Sequence, residues 1–279
     1  MISAIDYLVL GYLTRDLLPD GQTTGGGTAL YAATTAQRLG RQAGIFSAAL
    51  PDEVRIPGDV ALALTPSTVT STFSHRYQNG KRQQLVQQIA APLDLLYLPQ
   101  AWRDAPVVHL GPVLGECDES LVFAFPNALL GVTPQGWLRS VGSPLPAPME
   151  ARRWQPNPPL LRRIDLLVLS SEDVDGDTNL IAYYAAHCPL VALTHGARGA
   201  TIFVAGAAHD ISALPVFERD PNGAGDVFAA AMLLRYAEGA EPLAAAAFAA
   251  AAAALAVEHF ATEGIPSRER VNALLAQHS

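Results

Sequence analysis

Seven residues, Asp220-Pro221-Asn222-Gly223-Ala224-Gly225-Asp226, run directly into the apolar stretch Val227 to Leu234. Small residues at the start of a helix leave backbone N–H groups unpaired and accessible, and the helix dipole adds positive potential there. A phosphate could rest on the Gly223-Ala224-Gly225 turn. A carboxylate in the first turn of that helix, Asp226, would stand beside the phosphate, placed to take a proton from an attacking hydroxyl. The plain alternative is a tight glycine turn followed by an acidic residue that merely suits a helix start.

Other stretches carry the same kind of chemistry. Gly25-Gly26-Gly27-Thr28 opens a run that ends at Leu39-Gly40, and Gly11 and Asp16 precede it. A buried carboxylate is costly without donors, and a polyhydroxylated ligand would supply several to Asp16. Leu169-Ser170-Ser171-Glu172-Asp173 closes an apolar run with oxygen ligands of the kind that suit Mg²⁺, which keeps much of its water. It reads equally well as an acidic helix start. No G-x-x-x-x-G-K-[ST] is present, which excludes the P-loop motif.

The string from Asp220 to Asp226 resembles the second signature of the ribokinase-like (PfkB) carbohydrate kinases, and a looser resemblance spans about residues 5 to 266. It implies an ATP-dependent kinase that phosphorylates an alcohol group of a sugar, cyclic polyol or nucleoside. Asp226 would be the catalytic base, with the amides of Gly223, Ala224 and Gly225 stabilising the transferred phosphoryl group. Asp220 matches a position that in many members helps bind a monovalent cation, although an Asx turn explains it as well. Thr194-His195-Gly196-Ala197-Arg198-Gly199 looks like the family's nucleotide-binding strand end, which assigns Thr194, Gly196 and Gly199 to ATP.

Ser170 to Asp173 stands where the family has Asn-x-x-Glu around Mg²⁺. Ser170 replaces the usual Asn and Asp173 the usual Glu, with Glu172 an alternative. Gly26 and Gly27 resemble the glycine pair against the substrate, and Asp16 the carboxylate that accepts from substrate hydroxyls. The asparagine that usually contacts a furanose is Tyr31 here, an aromatic able to stack on a ring face and offer one hydroxyl. His109-Leu110-Gly111-Pro112, Gln135-Gly136-Trp137-Leu138-Arg139 and Tyr77 to Val86 are similar to an inositol-kinase-like branch. Arg139 would face substrate or phosphates, or else the solvent. The altered Ser170 and Asp173 also leave open a catalytically idle sensor of sugar or nucleotide, against which the intact Asp226 turn argues.

The elements that must position these residues are readable from periodicity. Short apolar runs at Ile5 to Leu10, Val107 to Leu110, Leu129 to Val132, Leu166 to Leu169 and Leu190 to Leu193 have the character of parallel strands buried on both faces. Helical stretches at Thr28 to Leu39 and Asn179 to His187 lie between them, and the Ala-rich segment 244–254 reads as a helix begun by Pro242. This predicts an α/β fold: a three-layer α/β/α sandwich with a mostly parallel sheet and its ligands at the strands' carboxyl ends. Thr68 to Pro92 breaks the rhythm as an extended hairpin around Asn79-Gly80. The expectation is one domain over 1–279 with a small β lid from about 11–24 and 68–92. The six prolines between Pro144 and Pro159 read as a surface loop.

Half of the 279 residues are hydrophobic, 16% are charged and the net charge is −8. That is a globular composition without the basic footprint of nucleic-acid or anionic-membrane binding. Two isolated cysteines, no basic leader and no sufficiently apolar run favour a cytoplasmic monomer or homodimer whose partners are a small-molecule substrate and ATP.

Overall fold

Apolar runs that alternate with helices can bury both faces only if the strands lie side by side between two helical layers. The computed structural model, which describes residues 4–18, 20–78 and 81–278, has this arrangement. One sheet of nine strands runs β5 (Ala61–Thr65), β4 (Ala43–Ala48), β1 (Tyr7–Leu10), β8 (Val107–Leu110), β9 (Leu129–Val132), β12 (Leu166–Ser170), β13 (Leu190–Thr194), β14 (Ala200–Val204) and β15 (Ala207–Ile211). Pairing is parallel from β5 to β13, and the last two strands return antiparallel.

One face packs against α1 (Thr28–Arg38), α4 (Ala224–Ala237), α5 (Pro242–Ala256) and α6 (Arg268–Ala276) around a core that includes Tyr7, Val9, Leu233 and Phe248. The other packs against α2 (Pro158–Arg163), α3 (Thr178–His187) and short 3₁₀ turns around Leu8, Trp102, Trp154 and Tyr184. Alternate residues of β1 thus enter opposite cores, as the two-residue period of a strand requires. Alanine suits α5 because its small side chains let the helix bury Ala245, Ala249 and Ala252 completely. Asp177 caps α3 by accepting from the Leu180 amide at 3.0 Å, a contact of a kind worth about 1 kcal/mol.

A second sheet of six strands has the order β10 (Arg139–Val141), β11 (Ala147–Ala151), β7 (Lys81–Gln88), β6 (Ser71–Gln78), β2 (Thr14–Leu17) and β3 (Thr23–Gly26). Its core of Tyr12, Phe73, Val86, Ala90 and Val113 is small and separate from the two main cores. The predicted hairpin strands are present, while its turn at Asn79-Gly80 lies outside the described residues. The reading of Pro144 to Pro159 as a loop needs correction. Ala147–Ala151 is a strand paired with β10 on one side and β7 on the other, and Pro158 and Pro159 open α2. One of its partners, β7, is distant in sequence, so the prolines dominated the local signal. No helix among the described residues is long and apolar enough to cross a membrane.

Candidate active site

Two helix N-termini, those of α1 and α4, meet at the carboxyl end of the parallel sheet. Gly27 caps α1 with a φ of 92°, and a Cβ on it would stand 2.2 Å from the Tyr12 carbonyl oxygen. Gly223 caps α4 in the left-handed region at φ 76°, and a Cβ there would stand 2.2 Å from the Tyr31 ring. Any larger residue at either place would meet both backbone strain and a clash. Thr28, the first residue of α1, hydrogen-bonds through its side chain to Asp226 in the first turn of α4.

The electrostatics identify Asp226 as the unusual carboxylate. Burial pushes its pKa up to about 6; the Thr28 hydrogen bond and Arg139 pull it down, and the neighbouring Asp173 charge pushes it further up. Arg139, on the first strand of the small sheet, reaches across with its Nη2 3.5 Å from an Asp173 carboxylate oxygen. Burial lowers the pKa of its guanidinium, against the attraction of Asp173 and Asp226. Tyr31 is raised first by burial and then by Asp220, Asp226 and Asp16, so all three carboxylates lie within electrostatic reach of one phenol.

The backbone amides of Gly225 and Asp226 have no backbone acceptor among the described residues, as expected at an open helix start. Ala224 differs from expectation: its amide donates to the Pro221 carbonyl at 3.2 Å, which leaves the next two amides as the unpaired ones. Gly225 is exposed, and a Cβ on it would meet nothing within 4 Å.

Asp16 and Gly26, expected to contact substrate, lie on β2 and β3. Asp16 pairs in register with Thr24, and a Cβ on Gly26 would stand 3.3 Å from an Asp16 carboxylate oxygen. Tyr31 corrects an expectation. Only 6% exposed and packed on Gly223, its ring supports the α4 turn instead of offering an open stacking face.

Asp220 accepts from the Asn222 amide at 3.1 Å and the Ala261 amide at 2.9 Å, an Asx turn that also ties down a distant loop. At the β13 end, Thr194 is half-buried and its carbonyl accepts from Ser171. Gly196 is open at φ 58°, but Gly199 has a local cause: a Cβ there would stand 2.0 Å from the Ile211 carbonyl oxygen of β15. Of the Mg²⁺ candidates, Asp173 faces Asp226 and accepts from the Ser170 amide at 3.0 Å, the Ser170 hydroxyl accepts from the Glu172 amide, and Glu172 is exposed. No group of three or more His, Cys, Asp or Glu among the described residues could hold a metal ion by itself.

One residue escaped the sequence reading. Glu116 is buried, and its carboxylate accepts from the amides of Tyr12, Val113 and Leu114 at 2.7 to 3.0 Å, binding the exit of β1 to the loop after β8. Burial pushes its pKa up against those donors. Nothing local marks it, because its partners are amides brought together only by the fold.

Residues 165–268, which include Asp173, Thr194 and the whole 220–226 turn, match the family model "pfkB family carbohydrate kinase". The chain is 24% identical over 269 residues to the cytidine kinase of Thermococcus kodakarensis, covering 84% of this chain and 90% of that one. Among solved structures it is similar to a pyrophosphate-dependent kinase in the ribokinase family complexed with a pyrophosphate analog and myo-inositol, with a TM-score of 0.79, 21% identity and coverage of 96% and 99%. It is also similar to Arabidopsis thaliana ribokinase complexed with ribose and ATP, with a TM-score of 0.70, 19% identity and coverage of 98% and 99%. The fold of this protein is therefore ribokinase-like.

Proposed function

We propose that this protein transfers the terminal phosphoryl group of ATP to a hydroxyl of a cyclic polyol or related sugar. The observation that carries this reading is the carboxylate of Asp226. It is held by Thr28 at an open helix start, pushed up to about 6, and faced by the Arg139–Asp173 pair. A base poised near the operating pH can accept a proton as the alcohol attacks. The free amides of Gly225 and Asp226 and the Arg139 guanidinium would take up charge on the transferred group.

Asp16, beside Gly26, would bind and orient substrate hydroxyls. The small sheet, which contributes both Asp16 and Arg139, would act as the lid that keeps water from competing as acceptor. Thr194 and Gly196 would lie along the nucleotide. A monovalent cation at Asp220 would have to compete with the two amides already bound there.

The oxygens of Ser170 and Asp173 fit a Mg²⁺ that is carried mainly by phosphates and water, since this ion needs only one or two protein carboxylates. When bound, it would neutralise charge on the phosphates. Asp173 would exchange its contact with Arg139 for this role, leaving the guanidinium to the transferred group.

A donor without a nucleoside is a second reading, and one observation favours it. Gly199, one of the three residues assigned to the nucleotide, is accounted for by the backbone of β15. A similar structure is that of a pyrophosphate-dependent kinase. The test is a matrix of donors, ATP and pyrophosphate, against acceptors, myo-inositol, ribose, fructose 6-phosphate and cytidine, with Mg²⁺ present. Acceptor-dependent consumption of either donor, highest with the cyclic polyol, supports the proposal. Highest kcat/KM for ribose or fructose 6-phosphate contradicts the substrate class.

A further inference from the structure

Beside the Thr28–Asp226 pair runs a buried polar chain that phosphoryl transfer as described does not use. The Tyr7 hydroxyl lies 2.6 Å from Nδ1 of His109, and Nε2 of His109 lies 3.1 Å from Oγ1 of Thr133. Tyr7 and His109 sit on the neighbouring strands β1 and β8, and Thr133 directly follows β9 at the carboxyl end of the sheet. Their exposures are 0%, 1% and 7%, so Thr133 is the most accessible of the three, while the Tyr7 phenol at the other end lies within electrostatic reach of Asp226.

The direction of the chain follows from counting protons. Burial holds the imidazole neutral, with its pKa down at about 3, so the ring carries a single N–H. If that proton were on Nδ1, it would donate to the Tyr7 oxygen, and the phenol proton, fully buried, would have no hydrogen-bond partner among the described residues, at a cost of about 1–3 kcal/mol. With the proton on Nε2, Tyr7 donates to Nδ1 and Nε2–H donates to Thr133 Oγ1. Both buried donors are then satisfied. The Thr133 hydroxyl proton is left to donate elsewhere, and His109 is the only hydrogen-bond partner of that hydroxyl among the described residues.

Where it donates is set by Gly111. A Cβ on Gly111 would stand 2.3 Å from Cγ2 of Thr28 and 3.3 Å from Oγ1 of Thr133, so the two threonines flank the same glycine. Thr28 holds Asp226, so Gly111 sets Thr133 beside the residue that holds this carboxylate. Asp16, Asp173 and Asp226, as ionised carboxylates, only accept, and the guanidinium of Arg139 beside them is paired with Asp173. A polyol needs donors for its oxygens as well.

We propose that Thr133 is a binding residue for the acceptor alcohol, its hydroxyl donating to a polyol oxygen, and that Tyr7 and His109 are positioning residues that fix its direction. This rests on the phosphoryl-transfer reading, so its test includes a measurement on the resting protein. Nitrogen-15 NMR of His109 should show the Nε2–H tautomer; an Nδ1–H tautomer overturns the proposal whether or not the protein turns over.

In kinetics with myo-inositol, Thr133→Val should raise the acceptor KM about tenfold, with kcat and the donor KM little changed. Thr133→Ser should restore it, and Tyr7→Phe should give a smaller shift in the same direction. An unchanged acceptor KM in both Thr133→Val and Tyr7→Phe overturns the proposal. If wild type phosphorylated no alcohol, the functional reading itself would fail, and the His109 tautomer would still decide the direction of the chain.

Discussion

Helix α4 carries a carboxylate at each end, and the fold treats them oppositely. Asp226, in its first turn, is pushed up to about 6 by burial. Glu238 caps its other end. Burial would raise Glu238 too, but hydrogen bonds from Arg268, Arg41 and Arg235 hold it down at about 2. Arg268 also donates to the Leu39 carbonyl at the end of α1, so the cluster joins α1, α4 and α6. The helix dipole alone would lower the first carboxylate and raise the second. Both shifts run the other way, so burial and immediate partners decide the charge state. An end with too few cations keeps a carboxylate ready to take a proton, and an end with three guanidiniums locks one into the structure.

This contrast is breakable, and the largest effect is expected at the first end. Asp226→Asn preserves shape but removes the proton acceptor, so kcat should fall by about 10²–10⁴, or ~3–5 kcal/mol of barrier. Thermal unfolding should not weaken. A variant that lost stability and kept turnover would place Asp226 with Glu238 as a structural group.

Next in size, Glu238→Gln leaves three arginines without their shared counter-charge. Stability should drop by about 1–3 kcal/mol, short of a fully buried pair because the cluster is partly solvated. Turnover per folded molecule should stay at the wild-type value. The sign with pH is fixed by the lowered pKa. The contribution of Glu238 is complete above its ordinary value of 4.5 and is lost as pH falls through about 2. Urea titrations of wild type and variant should therefore converge in acid.

Smaller again is the effect of Arg139→Lys. A lysine keeps the charge but lacks the planar fork, and kcat/KM should fall about tenfold through the donor more than the acceptor. A change confined to the acceptor KM would move Arg139 to the polyol side.

Five strands of the nine-stranded sheet were legible because they are nearly continuous apolar runs, and Val107–Leu110 and Leu190–Leu193 appear as read. Ala147–Ala151 was hidden because pairing with β7 and β10 overrides its prolines. In the site, the 220–226 turn announced itself through glycine spacing, whereas the roles of Glu116 and of Thr28 toward Asp226 depend on contacts across the fold. Tyr31 shows the limit most clearly. The sequence offered an aromatic beside a glycine pair, but only the packing against Gly223 shows that its face is already covered.

The central claim is that Asp226 accepts the proton of an alcohol as that alcohol is phosphorylated. Phosphorus-31 NMR of phosphomonoester formation by wild type, with donor, Mg²⁺ and myo-inositol, followed over about pH 5 to 8, tests it most directly. At limiting acceptor, the rate should require the alcohol, rise with pH through about 6 as the base deprotonates, and then level off. No phosphomonoester from any alcohol, or an acceptor-dependent rate that is flat across that range, would contradict it.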